Sequence, residues 1–359
     1  MGAWTGAGAR LFLLFYGLKP VEMKRTLPIH LFLLVNLFIL FSFIVYRPFR
    51  PKESRELTLS KPGVAPVEMP WQAPDTSEIP AGKNGELIRY GRELLVNTPY
   101  YLGPRGSVAS LANSLSCQNC HLDAGTRVWG GNFGGVTAVF PKFRHRSGTT
   151  ESIEMKINDC FRRSMNGQPL DTSSHEMKAM IAYMTWLGKK VPTGKAPLGS
   201  GLVKVPYLDR AADPIRGRKV YIEKCRRCHG EEGQGLLRPD GIAYIYPPLW
   251  GENSYNTGAG IYRLGKFVSF VKYNMPYGVT YRTPDLSDEE VWDVAAYVNS
   301  RPRPVLKVTS DWPDKTKKPV DHPFGPYADD FTEEQHKYGP FKPIEASRNA
   351  ITKVILSGS

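Results

Sequence analysis

Two short segments carry the most specific chemistry in this chain. One reads "CQNC" (Cys117, Cys120) and is followed at once by His121; the other reads "CRRC" (Cys225, Cys228) and is followed by His229. C-x-x-C-H is the attachment signature of c-type haem. The two thiols bond to the vinyl groups, and the adjacent histidine supplies an axial nitrogen to iron. A redox C-x-x-C or a disulfide would not need the histidine twice, and two half-sites for zinc would not each precede a region of the same kind. The spacing predicts two covalently bound c-type haems. The chain has five cysteines, so Cys160 is left over.

Each iron needs a second axial ligand. In the second half, "VKYNMPYG" puts Met275 46 residues after His229 and before a proline that fixes the loop. A thioether there raises the haem potential, which suits an electron-exit site; Lys272 is a distant competitor. In the first half two soft ligands compete within "INDCFRRSMNG". Met165 follows His121 by 44 residues, and by repeat logic it should ligate while Cys160 stays a bystander. Two points favour Cys160. A lone thiol in an oxidising compartment invites stray disulfides unless it is protected or used. Lys142, Arg144, Arg146, Lys156, Arg162 and Arg163 surround it in sequence, and positive charge favours thiolate while attracting anions. From the residues alone both ligands stay open.

The elements that position these groups come in duplicate. "IRYGRELL" (88–95) and "IRGRKVYI" (215–222) each precede a haem motif. A proline follows each haem histidine, Pro141 after 20 residues and Pro248 after 19. Each half then closes on a helix opened by a capping box, Ser173–Glu176 and Ser287–Glu290, with Tyr183 and Tyr297 each seven residues beyond the glutamate. Matching register at so many points predicts duplication of one unit. The unit resembles class I cytochrome c, in which the first and last helices cross closely; Gly91 and Gly217 would permit that approach. Pro141 and Pro248 are the expected carbonyl acceptors for the haem histidines. The expected fold is all-α: two class I cytochrome c-like domains in tandem, with an N-terminal transmembrane helix and an irregular C-terminal tail.

The apolar run from Leu27 to Tyr46 has no charged residue and is long enough to span a bilayer. No small-residue cleavage site follows it, so it reads as an uncleaved signal-anchor within an N-terminal segment 1–46. Basic residues flank both sides and leave the positive-inside count ambiguous. Haem attachment in bacteria occurs outside the cytoplasm, so the remainder is expected in the periplasm, anchored to the inner membrane. Residues 47–83 are rich in proline and polar residues and read as an extended tether. Cytochrome domain 1 is expected at 84–190 with the catalytic haem, a linker at 191–211, domain 2 at 212–305 with the electron-exit haem, and a tail at 306–359 that wraps the domains. His322 and His336 read as surface residues, and His145 as a weak candidate for a substrate pocket. The net charge of +13 points to an anionic substrate or partner. With no dense basic block or nucleic-acid motif, nucleic acid is not expected as a partner.

The chain also resembles the dihaem thiosulfate dehydrogenases, from about Trp71 to Ile344. The likeness rests on "YGRELLVNTPYYLGP", "LSCQNCHLDAGT", "INDCFRRSMNG" and the tail "KKPVDHPFGPYADDFTEEQHKYGPFKPI". The resemblance implies His121 and Cys160 as axial ligands of the catalytic haem, His229 and Met275 as those of the second, and Met165 as a structural neighbour. It implies oxidative coupling of two thiosulfates to tetrathionate, with electrons passed to a periplasmic acceptor such as a small cytochrome c. Arg146 and Ser164 match the anion-holding side chains of the family. Lys156 stands where an arginine is expected; it keeps the charge but loses the bidentate fork. Asn274 replaces the lysine that precedes the second-haem methionine in some members, so ligand exchange is not expected. Several fixed cations are needed to bring two dianions together, and Cys160 would form a transient sulfur–sulfur adduct with the substrate. The rival readings are a membrane-anchored dihaem electron carrier with two His/Met haems, and the same enzyme acting mainly as a tetrathionate reductase.

Overall fold

The computed structural model describes residues 69–357. The predicted membrane span 27–46 lies outside the described residues, and among the described residues no helix is long and apolar enough to cross a membrane. In chain order the principal helices are α1 (Gly82–Val96), α2 (Ile153–Arg163), α3 (His175–Leu187), α4 (Pro214–Val220), α5 (Leu264–Asn274), α6 (Asp288–Ser300), α7 (Glu333–Tyr338) and α8 (Phe341–Ser357). Two small antiparallel hairpins accompany them, β1 (Lys142–Arg144) with β2 (Thr149–Glu151) and β3 (Leu236–Leu237) with β4 (Tyr244–Tyr246). The fold is therefore helix-rich rather than purely helical.

Both halves rest on one helix crossing. A Cβ added at Gly91 of α1 would stand 1.9 Å from the carbonyl oxygen of Ala179 in α3. One added at Gly217 of α4 would stand 1.8 Å from the carbonyl oxygen of Asp293 in α6. Only glycine lets backbones approach this closely. Leu94, Leu95, Met177, Met180 and Tyr183 fill the first core; Tyr221, Val291, Trp292 and Ala295 fill the second. Burying each of the Leu, Met and Val side chains among these contributes roughly 1.5–3 kcal/mol.

The two closing helices start on different caps. Ser287 and Glu290 form the expected capping box at α6. At α3 the cap is Ser174, whose hydroxyl accepts from Met177 N at 3.1 Å, while Ser173 bonds to Asp171 and Glu176 accepts from Tyr90. The expected box at Ser173 is thus displaced by one residue, because Asp171 captures its hydroxyl first.

Two connecting segments are more ordered than their composition suggests. Of the expected tether 47–83, the part from residue 69 is packed: Trp71 N donates to Leu198 O at 2.8 Å, Ile79 is buried, and Asp75 and Glu78 cap a short 3₁₀ turn. The tail is not irregular either, since it contains α7 and α8. Phe341 and Ile344 enter the second core. His336, expected at the surface, is fully buried, with Nδ1 2.7 Å from Val320 O and Nε2 2.8 Å from Asp329. A helical period is hard to read there because α8 carries a proline in its first turn, where it is tolerated.

A cationic cavity beside the first haem motif

Helix α2 supplies most of the site. Ser152 caps its start by accepting from Met155 N, and Ile157 and Phe161 bury one face. Lys156, Cys160 and Ser164 recur every four residues and so share another face. All three line a cavity of about 520 Å³, within the roughly 300–1,000 Å³ usual for small-molecule and cofactor sites. Cys117, Cys120 and His121 line the same cavity, as do Arg146 and Met165. The structure thus brings Cys160, Arg146, Lys156 and Ser164 together with the first haem motif. It brings Met165 there too, 4% exposed, with its N–H donating to Cys160 O.

The first motif fits covalent haem. Burial pushes the Cys117 thiol up to about 11 and Cys120 to about 12, and both sulfurs line the cavity beside His121. His121 Nδ1 lies 2.5 Å from Gly131 O. Burial lowers the His121 pKa, and its engaged Nδ1 leaves Nε2 free for iron. The expected acceptor Pro141 is exposed and plays no such part; the loop that reaches the ring comes ten residues after it, not twenty. In the second motif the acceptor is Pro247 O, 2.8 Å from His229 Nδ1, one residue before the expected Pro248. Pro248 O instead accepts from Ser254. Burial again lowers His229 and pushes Cys225 up to about 12. Cys228 lies in the same turn of helix, Arg226–His229. Met275 caps α5 and packs against the second core. The competitor Lys272 is already engaged by Leu286 O and Asp288.

Charge in the cavity is organised by a residue that sequence reading missed. Asp159, next to Cys160, accepts from Arg146, from Lys156 Nζ at 3.3 Å and from Arg163 Nε at 2.5 Å. Arg163 then forks onto Asp311 of the tail with two 2.8 Å bonds. Arg146 sits in the β1–β2 connection, and its carbonyl accepts from Trp312 N of the tail at 2.7 Å. Burial, then neighbouring Arg163, lowers the Arg146 pKa. Cys160 pulls the Lys156 pKa up, but burial and the nearby Arg146 and Arg144 outweigh it, and the net direction is down. These are cations held close together, where an arriving anion relieves mutual repulsion. Lys142, Arg162 and His145 are exposed and outside the cavity lining. Domain 2 and the tail also line the cavity, with Arg263, Lys266, Phe270, Asp311, Trp312 and His322. His322 was expected at the surface; burial instead pushes it down to about 4.

The SoxA/TsdA cytochrome c domain model matches residues 108–193, and the cytochrome c model matches 215–302. The chain is 36% identical to a thiosulfate dehydrogenase of Stutzerimonas stutzeri (strain A1501), over 68% of this chain and 76% of that one. It is 38% identical to that of Psychrobacter arcticus, covering 67% and 71%, and 38% identical to that of Allochromatium vinosum, covering 67% and 87%. Among solved structures, the thiosulfate dehydrogenase (TsdBA) of Marichromatium purpuratum superposes with a TM-score of 0.61 at 34% identity, over 66% of this chain and 50% of that one. With two cytochrome c domains come two c-type haems. On its similarity to these enzymes over two-thirds of its length, the chain belongs to the thiosulfate dehydrogenase family.

Proposed function

We propose that this enzyme couples two thiosulfates into tetrathionate in the cavity beside His121. One observation carries the reading: the first haem motif, the spare thiol of Cys160 and the cations Arg146 and Lys156 all line one cavity. Each thiosulfate gives up one electron, one sulfur–sulfur bond forms, and no proton is transferred. The haems, when bound, accept these electrons and pass them on. His121 with Cys160 would hold the first iron, and His229 with Met275 the second.

Arg146, Lys156 and Ser164 bind and orient the anion. Arg146 offers a guanidinium, Lys156 a point charge and Ser164 a hydroxyl donor. Fixed cations in a partly water-excluded site lower the repulsion between two dianions without reorganising during the reaction. Asp159 keeps those side chains in place before substrate arrives. The same groups suit tetrathionate, so the reverse reduction belongs to this reading. Domain 1 (84–190) then carries the substrate and domain 2 (212–305) the electron exit to a periplasmic acceptor. The apolar stretch 27–46 would hold the enzyme at the inner membrane.

A second reading has one observation in its favour. Met165 also lines the cavity and is buried; as an axial ligand it would make the first haem an ordinary electron relay. Thiosulfate-dependent ferricyanide reduction by the holoprotein, with Cys160→Gly alongside, separates the two. Activity that vanishes in a variant retaining both haems supports the enzyme reading. Full activity in the variant removes Cys160 from the reaction.

A further inference from the structure

The internal duplication places a second lysine in the lining of the same cavity. Lys156, Cys160 and Met165 of the first half match Lys266, Phe270 and Met275 of the second, each pair 110 residues apart. On α2, Lys156 and Cys160 are four residues apart and line the cavity; on α5, Lys266 and Phe270 are four residues apart and line the same cavity. The two helices therefore present the same pattern from two domains, a lysine one turn before another residue of the cavity lining.

The two lysines differ in what already holds them. Lys156 shares Asp159 with Arg146 and Arg163. Lys266 has no ion pair among the described residues. The carboxylate that acts on it, Asp321, is taken by Arg263 and by Gly265 N. Arg144 is common to both groups: it lines the cavity, its own carboxylate partner Glu151 lies 4.0 Å away, and it acts electrostatically on both lysines. Burial, then Arg263, Lys204 and Arg144, lowers the Lys266 pKa, so an anion arriving beside it would be welcomed rather than merely tolerated.

We propose that Lys266, with Arg144, forms a second anion subsite for a sulfonate group, placing the second thiosulfate opposite the one held by Lys156 and Arg146. This deepens the functional reading above and rests on it. Tetrathionate has one sulfonate at each end, and a cavity lined by a lysine from each of two domains would grip both. Lys266 is a binding residue from the electron-exit domain, so the substrate site is complete only when both domains are present.

The test uses the full-length holoprotein and two readouts. Calorimetric titration of the oxidised protein with tetrathionate, which it cannot oxidise further, gives an affinity without turnover. Losing one charged contact in Lys266→Gln weakens this affinity about tenfold and raises the thiosulfate KM about as much, with kcat nearly held. Lys266→Arg restores most of both. An unchanged affinity in Lys266→Gln overturns the subsite. So does a shift in the potential of the first haem with unchanged affinity, because that outcome assigns the lysine to a haem propionate. A parent protein that neither binds tetrathionate nor oxidises thiosulfate overturns the functional reading itself, and the subsite with it.

Discussion

The two halves of this molecule start from one plan and diverge at one helix. In the second half α5 reads "LGKFVSFVKYN", and Phe267, Val268, Phe270 and Val271 are buried. In the first half α2 reads "IEMKINDCFRR", with only Ile157 and Phe161 buried. In both halves a haem-motif cysteine, Cys117 or Cys225, packs against its own core. The charged helix in addition lines a cavity, where Arg146 and Lys156 share Asp159 with Arg163 and residues of domain 2 and the tail complete the lining. The difference shows how one repeat unit gains a cationic cavity: one helix face exchanges apolar side chains for cations and a thiol. The helix crossings at Gly91 and Gly217 stay unchanged beneath it.

That contrast can be broken most severely at the two methionines. Met275→Leu should lower the potential of the second haem and cut thiosulfate-dependent turnover at least tenfold, with the thiosulfate KM unchanged. Met165→Leu should cost less than about 1.5 kcal/mol of stability and leave turnover within a factor of two. Equal losses from both would make the halves equivalent and return Met165 as an iron ligand. Steady-state rates and a potentiometric titration of each variant decide this.

Asp159→Asn probes the charged helix alone. It leaves Arg146, Lys156 and Arg163 without their shared carboxylate, in a partly buried place. A loss of about 1–3 kcal/mol is expected by denaturant unfolding, together with a higher thiosulfate KM, since the cations no longer hold one arrangement. An unchanged KM would reduce Asp159 to a stability residue.

The last effect lies in the tail, at His322, and is confined to acid pH. Burial holds its pKa near 4, below the ordinary 6.5. The unfolded chain therefore takes up a proton below about pH 6.5 that the folded chain refuses. Stability from this residue is full above pH 6.5 and is lost as pH falls toward 4. The thermal midpoint of the parent should drop more steeply between pH 7 and 5 than that of His322→Gln. Parallel slopes would mean that the ring is not held away from water.

Much of this was legible in the sequence where the signal is local. The two C-x-x-C-H motifs, the repeat, the box at Ser287 and the crossing glycines are each written within a few residues or at a fixed spacing. The signals that failed are those in which a distant group competes. Gly131 rather than Pro141 reaches His121 because the intervening loop turns early, and Asp171 takes the hydroxyl that would have made Ser173 a cap. Asp159 looked like any acidic residue until the fold brought Arg146 to it from the β1–β2 connection. The tail's part in the cavity, through Asp311 and Trp312, rests on contacts about 150 residues apart, which no periodicity announces. Lys266 is an intermediate case: its match to Lys156 was written in the repeat, but its meaning needed the cavity.

The central claim is that Cys160, not Met165, completes the first haem. The most direct measurement is electron paramagnetic resonance of the oxidised holoprotein beside Cys160→Gly and Met165→Leu. The account predicts two low-spin haem signals in the parent, one with the narrow anisotropy of a thiolate ligand. That signal should be lost in Cys160→Gly and kept in Met165→Leu. A parent spectrum with two His/Met-type signals, altered by Met165→Leu and indifferent to Cys160→Gly, would contradict it.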